Sequence, residues 1–318
     1  QFIAECSAHT LQRTPVEALD SYEELLARSD VDAVYIPLPT GVRKKWILAA
    51  AKAGKHILAE KPVAVSASDL QEILDACQSA GVQFMDGVMF MHSARLTRLR
   101  EVLADPSSVG TIKRVACQFS FSGGDEFARA NIRADSHLEP FGCLGDLGWY
   151  CIRFLLWVHQ YQMPTRMVGR ILSQLQGEAS SAPVPAEFSA ELDFPGGSTG
   201  SFYCSFVTQN QQWAHVSGTQ GSIRMDDFVL PFFGSEADFG ISRPVFETYG
   251  CSFHMKQRAE RVAVSEYDSG FAPAQEINMF ETFHQSILSG KVDPAWGEIS
   301  LKTQIVMDQL WQSANGQP

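Results

Sequence analysis

The stretches Asp32-Ala-Val-Tyr-Ile-Pro-Leu-Pro-Thr40 and Ala53-Gly-Lys-His-Ile-Leu-Ala-Glu-Lys-Pro62 decide the reading of the fold. Val31 to Leu38 is a short apolar run bounded by Pro37 and Pro39, as expected of a buried strand. Arg43 to Ala53 is alanine-rich and helical, and Gly54 stands where a left-handed cap belongs. His56 to Ala59 makes the next strand. Ser66-Ala-Ser-Asp69 opens a helix that runs to Ala80 and closes at Gly81, and Val82 to Met85 is a third strand. Upstream, Ser21-Tyr-Glu-Glu24 is a capping box, in which hydroxyl and carboxylate satisfy free N–H groups reciprocally, and it starts a helix over 21–29. Strands separated by helices make successive βαβ crossovers, hence a doubly wound α/β domain with a parallel sheet covered on both faces. Such sheets bind ligands at the carboxyl ends of their strands, which directs attention to the loops 37–43 and 59–66.

Past residue 90 the rhythm changes. A helix over Arg95 to Leu103 leads into period-two stretches at Lys113 to Phe121, Glu187 to Phe194, Thr199 to Phe206, Trp213 to Gly218 and Ser222 to Val229. Turns such as Gly196-Gly197 and Gln220-Gly221 separate several of them, the pattern of a largely antiparallel sheet. Helices are expected near 144–159 and 299–314. The chain therefore divides into an α/β domain over 1–90 and an α+β domain with an open-faced sheet over 91–318, while Phe232 to Val264 resists assignment.

The 318 residues are 45% hydrophobic and carry 25 basic against 36 acidic side chains, a formal charge of −11. That is enough chain for two cores and excludes a disordered protein. The acidic excess is present both in 1–90 and in the rest, so nucleic acid and anionic membrane surfaces are not expected partners. The one tight basic run, Arg43-Lys44-Lys45, reads as a solvated helix start. No apolar stretch reaches the ~18–20 residues that span a bilayer, and no signal-peptide pattern opens the chain, so a soluble, cytoplasmic protein is expected. Seven cysteines, with no C-x-x-C pair, fit reduced buried thiols and no metal site.

Two constellations can carry chemistry. Glu60-Lys61-Pro62 follows the second strand inside the expected crevice, where an ammonium can polarise a substrate hydroxyl; the plainer reading is a solvated lysine. Gly145-Asp146-Leu-Gly-Trp-Tyr150 opens a helix on which Asp146 and Tyr150 share a face, with Arg153 one turn on. A phenol beside a carboxylate can relay a proton, or the pair is a helix-start aspartate and a half-buried tyrosine.

Taken in order with Asn131-Ile-Arg133, Gly142 to Tyr150, Gly218-Thr-Gln-Gly-Ser222 and Ile299-Ser300 to Gln304, these motifs resemble the glucose-fructose oxidoreductase, inositol dehydrogenase and MocA family of NAD(P)-dependent oxidoreductases, nearest its dihydrodiol and xylose dehydrogenase branch. The resemblance runs over nearly the whole chain. It implies a Rossmann dinucleotide-binding domain over 1–90, a substrate-binding and oligomerisation domain over 91–318, and hydride transfer between NAD or NADP and a carbinol of a sugar, polyol or vicinal diol. It assigns Lys61, Tyr150 and Asp146 to catalysis. Pro37, Pro39, Thr40, Glu60 and Lys61 fall to the cofactor, and His92, Arg133, Asp146 and Tyr150 to the substrate; for His92 a packing role stands equally open. A homodimer through the open sheet face follows from the same resemblance. Rival readings are an NAD-dependent glycosidase of the family and a non-catalytic metabolite-binding or scaffold protein.

The sequence departs from the family pattern where Arg43 stands in place of a common histidine, to contact the nicotinamide end or to start a helix. Ala59 replaces a common cysteine, and Ser93-Ala94 stands where His or Asn and then Pro are usual. The Gly-x-Gly-x-x-Gly turn with its strand and helix is absent, and residue 1 is Gln at the start of a helix-like run to Ala8. The expectation is an N-terminally incomplete chain whose first parallel strand is an exposed edge.

Overall fold

The computed structural model describes residues 16–316, so the helix expected over Gln1 to Ala8 lies outside the described residues. Helix α1 (Tyr22–Ala27) starts at Ser21, whose hydroxyl accepts from Glu24 N while the Glu24 carboxylate accepts from Asp20 N. Strand β1 (Ala33–Ile36) stops where Pro37 and Pro39 can no longer donate to a ladder. There follow α2 (Thr40–Lys52), β2 (His56–Ala59), α3 (Ala67–Ala80, capped by Ser66 and ended by left-handed Gly81) and β3 (Phe84–Asp86).

Among the described residues these strands form one parallel sheet, ordered β1-β2-β3, with β1 on its edge. Val34, Ile36, Ile57, Ala59 and Phe84 point to one face, against Ile47, Ala50 and Ala51 of α2 and Leu70, Ile73 and Cys77 of α3. Two right-handed crossovers run in the same direction, so both helices fall on that face. The other face, with Leu58 and Met85, must be covered from elsewhere.

Beyond α4 (Ala94–Ala104), β4 (Ile112–Ser122) and α5 (Gly124–Ala130), a π-helical turn over Leu144–Gly148 runs directly into α6 (Trp149–Val158). All ten residues of α6 are buried, as suits a helix whose one charged side chain, Arg153, is paired. Strands β5 (Arg166–Leu175), β6 (Val184–Asp193), β7 (Thr199–Ser205), β8 (Val207–Gly218), β9 (Ser222–Met225), β10 (Glu236–Ser242) and β13 (Ala259–Ser265) join β4 in an eight-stranded sheet, ordered β13-β10-β9-β8-β4-β7-β6-β5. Among the described residues, β4–β7 is the one parallel pair of neighbouring strands in this sheet. Val115, Cys117, Phe188, Phe202, Cys204 and Val216 on its inner face pack with α6 in the main core. The segment that resists assignment from sequence becomes β10 to β13; its middle, β11 (Val245–Tyr249) and β12 (Ser252–Lys256), is a separate two-stranded ribbon.

The last two helices return to the first sheet. Met279 and Phe283 of α7 (Gln275–Leu288) cover Leu58 and Met85, and Leu301 of α8 (Ala295–Ala314) packs at the edge of the α2–α3 layer. One core thus takes side chains from both ends of the chain.

Arg43, read from sequence as part of a solvated run, is only 2% exposed, a correction with a physical reason given below. Of the six described cysteines five are buried and Cys251 is exposed, all of them free. No helix among the described residues is long and apolar enough to cross a membrane.

Arg153, expected on the Asp146–Tyr150 face, is fully buried and pairs with fully buried Asp86 at the end of β3. Its Nε also donates to Thr303 Oγ1 at 2.8 Å. Truncating one member strands the other charge, so Asp86→Ala should cost about 3–5 kcal/mol, whereas the double variant Asp86→Leu/Arg153→Met should recover a large part of it. Urea unfolding of native, single and double variants checks this.

Candidate functional site

Lys61 leaves the carboxyl end of β2 in a loop that other side chains hold. Arg43 donates from its guanidinium to the carbonyl oxygens of Leu38 and Pro62, tying the loops after β1 and β2 together. That is why a residue at a helix start is buried. Tyr35 donates its hydroxyl to Glu60 Oε1 at 2.6 Å. Glu60 lies against bare backbone at Gly87, where an added Cβ would sit 2.9 Å from Oε1. The Lys61-Pro62 peptide bond is cis.

The Lys61 ammonium donates to Asp146 Oδ1 at 2.8 Å and to the Asp146 carbonyl oxygen at 2.5 Å. Asp146 lies within the π-helical turn, and such turns recur at functional sites. Arg133 Nε donates to the other carboxylate oxygen, Oδ2, at 2.7 Å, so one carboxylate bridges two cations. Tyr150 presents its ring to the ammonium, with Nζ 4.5 Å from the centroid, and directs its hydroxyl at Met89 Sδ, 3.6 Å away.

The charge states follow from these neighbours. Burial works against a charged Lys61, but the Asp146 carboxylate outweighs it and holds the ammonium above its ordinary pKa. Burial likewise opposes the Asp146 carboxylate, yet Lys61 and Arg133 keep it below the usual carboxylate value. Burial pushes the Tyr150 phenol up to about 12, with Lys61 pulling the other way. At neutral pH the group is therefore ammonium, carboxylate and un-ionised phenol, a set that can stabilise an alkoxide and pass a proton.

These residues line a cleft of about 740 Å³ between the β2–β3 end of the first sheet and the rim of β4, β8 and β9. A smaller recess of about 160 Å³ shares Glu60, Lys61, Arg133 and Asp146 with it and reaches Pro37, Pro39, Arg43 and Glu139. The buried Arg43 Nε has no hydrogen-bond partner among the described residues, so a polar ligand atom in the recess would complete it. A flat ring and ribose at the carboxyl ends of β1 and β2 fit this donor set, and Pro37, Pro39, Glu60 and Lys61 are the residues that could hold them.

The structure thus gathers Lys61, Asp146, Tyr150, Arg133 and Glu60 in one cleft, with Pro37 and Pro39 on the adjoining recess. Two residues assigned from sequence lie elsewhere. Thr40 is 2% exposed and borders neither space. Its backbone N and hydroxyl are bound by Glu139 Oε1 and Oε2, at 3.0 and 2.7 Å, because Pro39 offers no side chain to cap α2 and a carboxylate from loop 131–142 takes that place. Gly41 permits this close approach: an added Cβ would stand 1.9 Å from the His137 carbonyl oxygen. His92 stacks on Trp296 at 4.7 Å between ring centroids and has Nδ1 3.3 Å from Thr282 Oγ1, so its surroundings are those of a packed core residue facing α7 and α8. Sequence reasoning missed Glu139, Gln212, Leu230 and Phe232; none carries a local motif, and only the folding of β8 and the 226–232 segment brings the last three to the cleft.

Comparison with known proteins bears on this geometry. Residues 4–88 match the model of the GFO/IDH/MocA oxidoreductase family with an NAD-binding Rossmann fold, and residues 96–224 match the GFO/IDH/MocA C-terminal domain. D-xylose 1-dehydrogenase (NADP(+)) 2 of Haloferax volcanii is 28% identical over 303 residues, 93% of this chain and 82% of the relative. Trans-1,2-dihydrobenzene-1,2-diol dehydrogenase of Mus musculus is 32% identical over 218 residues, 68% of this chain and 61% of the relative. In fold, the chain superposes with a TM-score of 0.76 on a 3-ketoreductase from Actinomadura kijaniata solved with NADP and TDP-benzene, at 23% identity over 93% of this chain and 82% of that one.

Burial pushes the His92 imidazole down to about 4. The unfolded chain takes up this proton near pH 6.5, so between pH 6.5 and 4 it binds more protons than the folded protein and stability falls as pH drops. From pH 7 to 5 the native protein should lose about 1–2 kcal/mol more than His92→Gln, measured by urea unfolding at the two pH values.

Proposed function

The chain belongs to the GFO/IDH/MocA family of oxidoreductases, and from that footing we propose that it interconverts a carbinol and a carbonyl on a sugar, polyol or vicinal diol with NAD(P) as redox partner. The observation that carries the reading is the Lys61–Asp146–Arg133 bridge beside the Tyr150 ring, set at the strand ends where a dinucleotide domain binds its ligand. Bound nicotinamide supplies or accepts the hydride.

Every other part falls to the chain's own residues. Lys61, held as ammonium by Asp146, donates a hydrogen bond to the substrate oxygen and stabilises alkoxide character on it. Tyr150, an un-ionised phenol at neutral pH, gives its proton to that oxygen when a carbonyl is reduced; when a carbinol is oxidised it releases its own proton to solvent and takes the one that leaves the carbinol oxygen. The Met89 sulfur is a weak acceptor and yields the hydroxyl to a stronger one. Asp146 holds Lys61 and Arg133 at fixed spacing, and Arg133, half-exposed at the mouth, can bind a second substrate hydroxyl. Pro37, Pro39 and Glu60 shape the recess for the cofactor ring and ribose.

The same reading takes residues 1–90 as the dinucleotide-binding part and 91–318 as the substrate-binding and dimerisation part, with α7 and α8 of the latter completing the former's core. A homodimer through the open sheet face and a cytoplasmic place belong to this proposal; five buried free thiols suit a reducing compartment.

The test is NAD(P)-dependent turnover of aldoses and vicinal diols, followed at the reduced nicotinamide absorbance. Lys61→Ala should lower kcat by about 10²–10⁴-fold, and Tyr150→Phe by a similar factor. Turnover of Lys61→Ala within a few-fold of the native protein would remove the lysine from the chemistry.

A further inference from the structure

The cleft has two unlike halves. One is the charged group around Lys61. The other is a wall made by residues 226–232 between β9 and β10, and its backbone is clamped by side chains. Gln212 Nε2 donates to the Leu230 carbonyl at 2.6 Å while Gln212 Oε1 accepts from Leu230 N at 2.7 Å. Gln275 Nε2 donates to the Val229 carbonyl at 2.8 Å, and Asp227 Oδ2 accepts from Phe232 N at 2.8 Å. Asp227 is itself held through both its carboxylate and its carbonyl by buried Arg95. An irregular segment with this many backbone groups bound is rigid.

That rigidity is spent on presenting apolar surface. Leu230 is 47% and Phe232 62% exposed, and together with Val229, Phe119 and Phe121 they line the same cleft as the Lys61 ammonium. Isolated exposed apolar side chains need no explanation, but a clamped apolar wall facing a reactive group is a preorganised surface. The volume is also large: 740 Å³ lies toward the upper end of the roughly 300–1,000 Å³ that hold drug-sized ligands, more than one bare polyol needs.

We infer that residues 226–232, through Leu230 and Phe232, form a subsite for an apolar, ring-bearing substituent attached to the reacting carbinol, so that the substrate is two-part: a hydroxylated head at Lys61 and an apolar extension on the wall. The inference rests on the reading of the Lys61 cleft as the reactive site. The reaction is unchanged by the extension: the carbinol C–H leaves as hydride to NAD(P)⁺, the O–H proton passes to solvent through Tyr150, and a carbonyl remains. Discrimination comes from apolar area removed from water in the substituted substrate and absent from the bare one.

The test compares 1-phenylethane-1,2-diol with propane-1,2-diol. The native protein should favour the phenyl diol in kcat/KM by roughly 10- to 100-fold, and Phe232→Ser should cut that ratio by about tenfold. Phe232→Leu, which keeps an apolar side chain, should retain most of the preference, and circular dichroism of both variants guards against a folding defect. Calorimetric titration of the native protein supplies a readout without turnover: the phenyl diol should bind with the more negative heat-capacity change, a difference that shrinks in Phe232→Ser. Equal kcat/KM values for the two diols, or no calorimetric difference between them, overturns the subsite. Selective binding of the phenyl diol with no turnover of either leaves the subsite standing and sinks the hydride-transfer reading instead.

Discussion

Asp86 and Arg153 meet where water does not reach, and the arrangement of both sheets hangs on that meeting. Asp86 ends β3 of the parallel sheet; Arg153 lies in α6, the helix that carries Tyr150 and continues from the turn holding Asp146. Thr303 of α8 takes the guanidinium's Nε. Three separate parts of the chain are thereby set at fixed distances around a charge pair that is costly to separate in a dry interior. The short span from Lys61 at the end of β2 to Asp146 depends on that fixing, because one residue belongs to the first sheet and the other to the helix packed on the second. An error of an ångström in how the two sheets meet would separate ammonium from carboxylate.

Local chemistry explains how much of this could be read in advance. β1 announces itself by an apolar run that Pro37 ends, and β2 and β3 by apolar runs that follow the helix-ending Gly54 and Gly81, since each stop has a backbone reason, and Ser21 and Ser66 cap the helices their patterns mark. Lys61, Asp146, Tyr150 and Arg133 were legible as ordered motifs, and the structure brings them to one cleft. What escaped is whatever depends on distant partners. Arg43 looked solvated because a sequence does not show that two carbonyls, at Leu38 and Pro62, converge on it. Thr40 looked open because Glu139, 99 residues away, gives no local sign that it will cap α2. His92 carried a polar type into a packed setting against Trp296. The β11–β12 ribbon lacks a buried face, so alternation had nothing to record there.

The cleft itself joins two solutions to one problem. Around Lys61, charged groups are kept charged despite burial by satisfying one another, and the carboxylate between two cations is the piece that makes this possible. Across from them, residues 226–232 are kept in place by amide side chains from β8 and α7, so that apolar groups can face water without the segment collapsing onto the core. Both halves spend hydrogen bonds on geometry, one to hold charge and one to hold shape.

The return of α7 to the first sheet has a consequence for how the chain is made. Among the described residues, the buried partners of Leu58 and Met85 in their cluster are Met279 and Phe283, some two hundred residues downstream. At a synthesis rate of ~5–20 residues per second, the uncovered face waits roughly 10–40 s after β3 leaves the ribosome. During that interval the parallel sheet cannot complete its core from its own neighbourhood, and the nascent chain exposes an apolar surface of the kind that holding chaperones bind. The amino-terminal part is thus the first to be synthesised and among the last to be finished, and stalls or truncations late in translation fall on it as heavily as on the part being made.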